Sequence, residues 1–234
     1  METPVKDLKP PERKEYIKIK IQGYSDWITT LRNKVNVGIL SDENANIMIA
    51  RAMTARDIKK ELAEDKAKKD QLTGLYNKET FNKEYERLIK NGDKFALLIL
   101  DLDNFKNINT NLGYSAGDSL IVQTALNIST NLRQLRESET ENDFICRWGG
   151  DEFAVLLKNI SEKKYLENVA EKLRKITSEG TSSIKTEKGI RNVPVTLSIG
   201  GGIYNNEGKE TFFNKVNDGI KQAKTTKNKV VIIQ

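Results

Sequence analysis

The chain has 234 residues, of which 37% are hydrophobic and 31% charged, with a formal net charge of +6. This balance is typical of folded globular proteins and excludes a fibrous or largely disordered chain. There is no histidine and only one cysteine, Cys146, which excludes histidine-based triads, HExxH zinc sites and an internal disulfide. Any catalysis must therefore use carboxylates, lysines, backbone groups and hard metal ions.

The same bulk features predict a cytoplasmic protein without membrane insertion. The longest apolar run, residues 95–100, is far shorter than the roughly 20 residues that span a bilayer. The N-terminus lacks the apolar core of a signal peptide, and a lone cysteine fits a reducing compartment. Basic and acidic residues alternate without forming blocks, so we expect a solvated surface and no binding of a nucleic-acid polymer.

Residues 1–69 are expected to form a helical N-terminal extension. One plausible helix covers residues 12–37, and a second follows a capping stretch at residues 41–44. About 69 residues are few for a standard sensory domain with its own core. We expect this extension to act in regulation or dimerisation of the domain that follows it.

Residues 70–234 alternate between amphipathic helices and short apolar strands. The predicted elements in chain order are helix 77–90, strand 95–100, helix 117–136, strands 144–147 and 152–157, helix 161–177, strand 193–204, helix 211–224 and strand 230–233. Asp70 and Asn77 are expected to fix the turn before the first helix, and Cys146 to lie in the core. A predicted hairpin around Gly149 and Gly150 would make the sheet mixed. The expected fold class is α/β (α+β), with a mixed central sheet flanked by helices.

Two acidic clusters lie at the ends of predicted strands. Asp101 and Asp103 close the first strand, and side-chain alternation places them on the same side of it. Asp151 and Glu152 occupy the hairpin turn. If the two strands are neighbours, these carboxylates converge into a site for Mg²⁺, which prefers oxygen ligands and tolerates bound phosphate. Two such ions would suit an in-line displacement at phosphorus; the structural alternative is that the acids only end a strand and fill a turn.

Five sequence blocks together resemble the GGDEF family of diguanylate cyclases. In chain order they are Asp70-Gln-Leu-Thr-Gly-Leu-Tyr-Asn77, Asp101-Leu-Asp-Asn-Phe-Lys-Asn-Ile-Asn109, Gly117-Asp118, Arg147-Trp-Gly-Gly-Asp-Glu-Phe153 and Val195-Thr-Leu-Ser-Ile-Gly200. They follow the family's order and spacing and cover residues 70 to about 230. A lone Gly-Gly-Asp-Glu-Phe sequence would be weak, whereas five ordered blocks are very specific.

The resemblance implies a palm-like fold related to class III nucleotide cyclases and synthesis of cyclic di-GMP from two GTP molecules. Carried over to this sequence, it implies Asp101, Asp151 and the Leu102 carbonyl as ligands of Mg²⁺ (or Mn²⁺). Glu152 would lie next to the metals and help to neutralise or deprotonate the attacking 3′-hydroxyl. Asp151 and Glu152 are thus the implied catalytic residues.

The resemblance also implies how GTP would be bound. Gly149 and Gly150 would leave room for the backbone to approach the triphosphate. The other implied substrate-binding residues are Asn104, Phe105, Lys106, Lys224 and Lys227 for the phosphates, and Asn109 and Asp118 for guanine. A buried acid would accept from guanine N1–H and N2–H₂ and would be left unpaired by adenine, which favours GTP over ATP. Two bland alternatives remain open: Asp118 as a helix N-cap and Lys106 as an ordinary surface lysine.

Two departures from the family pattern affect the expected activity. Members with product feedback carry Arg-x-x-Asp five residues before the Gly-Gly pair, but this chain has Thr140-Glu-Asn-Asp143, so we expect no feedback through that site. Near the C-terminus, Lys224 keeps the phosphate-binding lysine. Lys227 would replace the family's arginine only if one residue is deleted, and a lysine cannot make the same bidentate contact. Turnover is therefore expected to be lower than in typical members.

The reaction would require a second copy of the chain. One domain holds one GTP, so the active form is expected to be a two-fold homodimer whose sites face each other. The main rival is a non-catalytic GTP-binding GGDEF signalling module, which the altered C-terminal block favours and the intact Gly149–Phe153 motif opposes. A further rival, a cyclase with an adenine-containing product, is opposed by Asp118.

Overall fold

The computed structural model of the chain describes residues 57, 60, 63–135, 143–179, 181–186 and 189–233. The chain divides into two compact units, Met1–Asp65 and Lys66–Gln234. The two helices predicted within residues 1–69 lie almost entirely outside the described residues, of which 63–67 are helical. Among the described residues, no helix is long and apolar enough to cross a membrane.

The second unit alternates helices and strands much as its sequence predicts. Its elements are β1 (Tyr76–Asn77), α1 (Lys78–Asn91), β2 (Phe95–Leu102), α2 (Phe105–Leu112), α3 (Tyr114–Leu135), β3 (Phe144–Gly149), β4 (Glu152–Lys158), α4 (Lys163–Glu179), β5 (Thr181–Thr186), β6 (Gly189–Pro194), β7 (Leu197–Ile203), α5 (Lys209–Thr226) and β8 (Val230–Ile232).

The central sheet has six strands in the order β1-β3-β4-β2-β7-β8. β1 pairs with β3 and β7 with β8 in parallel, whereas the other three neighbours are antiparallel. The predicted mixed sheet is therefore confirmed. β2 and β4, which carry the two acidic segments, are adjacent at its centre, and this adjacency brings the candidate site together.

Alternation along the fully buried β2 divides the core between two layers of helices. Phe95, Leu97 and Ile99 pack with residues of α1 and α5, whereas the intervening Ala96, Leu98 and Leu100 belong to the cluster formed with α3 and α4. A central strand covered on both faces reads as a continuous apolar run. The unbroken run from residue 95 to residue 100 therefore predicted a buried strand correctly.

α5 lies very close to β7 because that strand carries glycine at the contact. A Cβ atom on Gly200 would lie 2.3 Å from the backbone nitrogen of Ile220 and 2.8 Å from the carbonyl oxygen of Val216. No such contact is tolerated in a packed protein, so the glycine permits the helix to approach the sheet. This packing places the C-terminal end of α5 beside the end of β2.

Four elements, β1, α2, β5 and β6, were not predicted as such. α2 is a short polar helix with one buried residue, Ile108, and it lacks the long apolar stripe by which helices are found in sequence. β5 and β6 form a separate two-stranded hairpin in which β6 is largely exposed. The predicted strand 193–204 was accordingly wrong at its start, since Val193 and Pro194 end β6 and β7 begins only at Leu197.

Cys146 lies in the core, as predicted. It is fully buried on β3 among residues that pack against α1 and α5. Burial raises the pKa of its thiol to about 12, and the nearby Asp70 carboxylate adds to the rise. The thiol therefore stays protonated at neutral pH and acts as a small apolar side chain.

Candidate active site

The two acidic segments lie side by side at one edge of the central sheet. In the β2–β4 ladder Asp101 is directly opposite Glu152, and the Leu102 N–H donates to the carbonyl oxygen of Asp151 at 3.3 Å. Residues directly opposite in an antiparallel pair present their side chains on the same face. Asp101 and Glu152 therefore share the sheet face that α1 and α5 cover, with Asp151 in the adjoining turn.

Asp101 is a buried acid in a negatively charged setting. Its residue is only 6% exposed, and its carboxylate forms an ion pair with the Lys224 ammonium at the end of α5. Burial raises the pKa of Asp101 to about 6, Lys224 opposes this rise, and repulsion from Asp151 and then Glu152 adds to it. More positive charge at this point would stabilise the ionised carboxylate.

The carboxylate of Asp103, in contrast, is occupied by hydrogen bonds within the protein. Its carboxylate accepts hydrogen bonds from the hydroxyls of Thr196 and Ser198 and from the Asn228 backbone N–H, at 2.6 to 2.8 Å. Ser198 is the β7 partner of Asp101, so the two acids lie on one side of β2, as side-chain alternation predicts. Asp103 thus joins the end of β2 to β7 and to the turn after α5.

The donor set at this edge fits a hard divalent cation only in part. Asp101, Asp151 and the Leu102 carbonyl are oxygen donors of the kind that Mg²⁺ prefers. Within the described part of the chain, however, no three acidic or cysteine side chains converge on a common point. These residues can supply part of a coordination shell, and water or phosphate oxygens would have to complete it.

The glycine turn between β3 and β4 is open and fixed from behind by an arginine. Gly150 has φ +50°, a conformation that favours glycine, and a Cβ atom at Gly149 or Gly150 would meet nothing within 4 Å. Arg147 donates to the Gly150 carbonyl oxygen from Nε at 3.0 Å and from Nη2 at 2.8 Å. Its Nη1 lies 3.3 Å from both carboxylate oxygens of Asp70.

This role of Arg147 was missed in the sequence, although its side chain joins its own block to the one that begins at Asp70. The expectation that Asp70 and Asn77 are structural is confirmed. Burial tends to raise the pKa of Asp70, but hydrogen bonds from Thr73 and the charge of Arg147 bring it below its ordinary value. Asn77 caps α1 by accepting from the Thr80 N–H at 2.9 Å. Two features of the sequence could have indicated the role of Arg147: its place directly before the glycine motif, and the aspartate Asp70 in an upstream block.

The residues predicted to bind guanine lie where α2 packs on α3. The Oδ1 atom of Asn109 is buried and has no hydrogen-bond partner among the described residues. A Cβ atom at Gly117 would lie 1.9 Å from this oxygen and 3.0 Å from Cζ of Phe105. The absence of a side chain at Gly117 thus leaves room for the Asn109 side chain, and the unpaired acceptor of Asn109 suits a hydrogen-bond donor on a ligand.

Asp118 differs from its prediction in two respects. It was expected to be a buried acid, but it is exposed. The capping alternative is also wrong, because α3 begins at Tyr114 and Asp118 lies inside the helix. The cost of leaving a buried acid unpaired therefore does not apply to this carboxylate, and the buried acceptor at this position is that of Asn109.

The residues predicted to bind phosphate surround the end of β2. Lys106 is exposed on α2. Lys224 reaches Asp101, and Lys227 donates to Oδ1 of Asn104 at 2.5 Å without any deletion in the chain. The two lysines therefore lie beside the segment from Asp101 to Asn104. Thr140, on which the prediction about feedback depends, lies outside the described residues.

Solved structures of GGDEF domains resemble this fold. The coiled coil and GGDEF domain of DgcB from Caulobacter crescentus, solved in complex with c-di-GMP, has a TM-score of 0.68 at 22% identity over 81% of this chain and 98% of that chain. The GGDEF domain of PA1120 (TpbB or YfiN) from Pseudomonas aeruginosa has a TM-score of 0.60 at 26% identity, with 71% and 94% covered.

The sequence identifies the family. The protein family described as "Diguanylate cyclase, GGDEF domain" matches residues 67–229, so the chain belongs to that family. The response regulator PleD of Caulobacter vibrioides is 28% identical over 167 residues, which are 70% of this chain and 35% of PleD. The diguanylate cyclase TpbB of Pseudomonas aeruginosa is 33% identical over 139 residues, 58% of this chain and 29% of TpbB. The chain thus spans about a third of the length of these curated relatives.

Proposed function

We propose that residues 70–234 form a diguanylate cyclase domain, which joins two GTP molecules into cyclic di-GMP and releases pyrophosphate. The observation that carries this proposal is the pairing of Asp101 with Glu152 across β2 and β4, with Asp151 in the adjoining turn. Relatives named as diguanylate cyclases and a related structure solved with c-di-GMP support the choice of substrate and product.

In this proposal the acidic edge holds divalent metal and the glycine turn holds phosphate. Asp101, Asp151 and the Leu102 carbonyl would bind Mg²⁺ or Mn²⁺, with water or phosphate oxygens completing the shell. When bound, such an ion neutralises charge on the triphosphate and activates the attacking hydroxyl. The open backbone at Gly149 and Gly150 lets the triphosphate approach closely.

The surrounding side chains orient the nucleotide and handle the proton. Asn109 presents its unpaired oxygen to the guanine edge, while Asp118 accepts from the same base at the surface. Lys106, Lys224 and Lys227 bind the β- and γ-phosphates, together with the turn at Asn104 and Phe105. Glu152, opposite Asp101, helps to take the proton from the incoming 3′-hydroxyl.

The attacking hydroxyl must come from a second GTP in a second domain. We therefore propose a two-fold homodimer as the active form, with residues 1–69 controlling how the two domains meet. A cytoplasmic location gives access to GTP. We also propose that the product does not inhibit through the site at Thr140, because that position lacks the arginine that would pair with a phosphate.

A product assay tests the proposal. The purified chain is incubated with Mg²⁺ and labelled GTP or ATP, and the products are separated. We expect cyclic di-GMP from GTP, formed at a rate per chain that rises with protein concentration. Asp151→Ala should abolish it, whereas Asp218→Ala, which removes an exposed carboxylate of α5 paired with Lys221, should not. A product that survives Asp151→Ala would contradict the proposal.

One observation favours a second candidate, a GGDEF module that binds GTP without converting it. The ammonium of Lys224 is paired with Asp101, one of the two acids proposed to hold metal, and the C-terminal block departs from the family pattern. In the same assay, binding of labelled GTP without product would support this module. A product from ATP would instead support a cyclase of relaxed base specificity.

A further inference from the structure

The backbone at Lys227 has a conformation that glycine adopts readily and lysine does not. This residue follows α5 with φ 59° and ψ 166°. In that region the Cβ atom of any L-residue crowds the backbone, and the region is occupied almost entirely by glycine. A non-glycine residue persists there only where its surroundings determine the conformation. The presence of a lysine at position 227 therefore indicates that its side chain has a function there.

Three hydrogen bonds from different elements hold this turn. The Lys227 N–H donates to the Ala223 carbonyl oxygen at 2.9 Å, and the Asn228 N–H donates to Oδ2 of Asp103 at 2.8 Å. The Asn228 side chain is fixed from α4, because Nη1 of Arg174 donates to its Oδ1 at 2.7 Å. Asn228 thus connects α4 with the end of β2, and the strained residue precedes it directly.

The strained conformation directs the lysine side chain along the end of β2. The Lys227 ammonium donates to Oδ1 of Asn104, in the turn just after the acidic edge. One helical turn earlier, Lys224 is paired with Asp101. A glycine at position 227 would relieve the backbone but would remove a positive charge from this edge. The charge and the strain are therefore linked.

We infer that Arg174 and Asn228 are positioning residues, which hold Lys227 in its strained conformation. In this conformation the Lys227 ammonium binds the γ-phosphate of the nucleotide. Lys227 then sets the preference of the site for a triphosphate over a diphosphate. This inference rests on the proposed function in taking a guanine nucleotide as the ligand. It assigns to α4, far from the acidic edge in sequence, a part in nucleotide selection.

The first test separates strain from function by comparing Lys227→Gly with Lys227→Ala. Binding is measured with a GTP analogue whose α,β bridge is a methylene group, so that turnover does not enter, and with GDP. Both variants should bind the analogue about tenfold more weakly, the effect of one lost charge-assisted hydrogen bond, with little change for GDP. Only Lys227→Gly should raise the Tm, by about 3 °C, because only glycine relieves the strain.

The second test asks whether Arg174 acts through Lys227. Arg174→Ala should weaken binding of the analogue about fivefold, whereas Lys175→Ala, which removes an exposed charge next to it on α4, should not. In the Lys227→Gly background, Arg174→Ala should have no further effect on affinity. A merely structural arginine would lower the Tm and leave the ratio of analogue to GDP affinity unchanged.

Each outcome decides the inference. Equal losses for analogue and GDP in Lys227→Gly, an unchanged Tm in that variant, or additive effects of the two substitutions would overturn it. The cyclase proposal fails separately, on the absence of product. A chain that binds the analogue through Lys227 and makes no cyclic di-GMP would uphold this inference while refuting that activity.

Discussion

Two turns flank the acidic edge, and they are stabilised in opposite ways. The first, which we call the Asp70 turn, comprises residues 70–77, and its polar groups pair locally: Asp70 with Thr73, and Asn77 with Thr80. The second, the Lys227 turn, comprises residues 224–229 and contains a lysine in a glycine conformation. Both turns contact a distant arginine, Arg147 in the first and Arg174 in the second, but the Asp70 turn is relaxed whereas the Lys227 turn holds a strained residue.

The two turns differ in whether the backbone of the site is strained. The Asp70 turn is joined to the glycine turn by Arg147, which pairs with Asp70 and donates to the Gly150 carbonyl. Nothing there is strained, so weakening the link through Arg147 should reduce stability and activity together. At the Lys227 turn, removing the strained side chain should increase stability while binding is lost, as relaxed and strained sites are expected to differ.

The largest effect is expected at Arg147, the residue that joins the Asp70 turn to the glycine turn. Arg147→Ala removes the donor to the Gly150 carbonyl and the charge beside Asp70, which keeps its hydrogen bonds from Thr73. It should lower the free energy of unfolding by about 2 kcal/mol. Because the Gly149–Asp151 backbone is then free to shift, cyclic di-GMP synthesis should fall at least tenfold, as small misplacements of reacting groups do. Urea unfolding and initial rates measure the two effects.

Two variants sharpen this prediction. Arg147→Lys keeps the charge but cannot contact the carboxylate and the carbonyl at once, so it should restore less than half of the lost stability. Arg191→Ala, on the exposed strand β6, should change neither quantity. If Arg147→Ala lowered activity at full stability, the two turns would differ less than we argue.

The same contrast explains what the sequence could reveal. The Asp70 turn was predicted because its residues form a contiguous block whose bonds span three positions. The acidic edge was predicted, on the condition that the two strands are neighbours, because Asp101 lies at the end of one apolar strand and Glu152 at the start of another. Arg174 could not be found in this way, because its contact with Asn228 joins positions 54 apart and no local pattern marks it.

A moderate effect is expected from the cap of α1. Asn77→Ala removes the oxygen that accepts from the Thr80 N–H and the amide that donates to the Ala67 carbonyl at 2.8 Å. The loss of a helix N-cap typically lowers the free energy of unfolding by about 1 kcal/mol. Since the substitution removes only the Asn77 side chain and leaves its backbone paired with Arg147 in the β1–β3 ladder, the rate of product formation per folded chain should stay unchanged.

Asn77→Asp is the matched variant, because aspartate also caps helices but cannot donate to Ala67. It should recover most of the stability that Asn77→Ala loses, as judged by urea unfolding at neutral pH. A loss in Asn77→Asp as large as that in Asn77→Ala would show that the bond to Ala67, rather than the cap, stabilises the Asp70 turn.

Other parts of the site depend on packing that the sequence does not express. α2 was missed because it is short and polar. Asp118 was expected to be buried because the family resemblance assigns it to guanine, whereas it is exposed within α3, which begins at Tyr114. The unpaired oxygen of Asn109 likewise follows from the contact between α2 and α3 at Gly117.

The last effect, similar in size to that of the α1 cap, concerns an unstrained ion pair between α1 and β4. Glu84 on α1 accepts from Arg87 and pairs with Lys158 of β4 at 3.0 Å, with its side chain 16% exposed. The hydrogen bond from Arg87 lowers the pKa of Glu84 to about 2, against burial and with help from Lys158. After allowance for solvent screening, Glu84→Gln should lower the free energy of unfolding by about 1 kcal/mol at pH 7.

The pH dependence fixes the sign of this effect. A carboxyl whose pKa is lower in the folded chain than its ordinary 4.5 contributes fully above that value, and the contribution disappears as the pH falls through about 2. The difference between the native chain and Glu84→Gln should thus shrink to less than half at pH 3. Glu79→Gln, which removes an exposed partner of Lys83, should cost about 0.5 kcal/mol at pH 7. A difference for Glu84→Gln that grew on acidification would mean that burial, rather than Arg87 and Lys158, dominates this carboxyl.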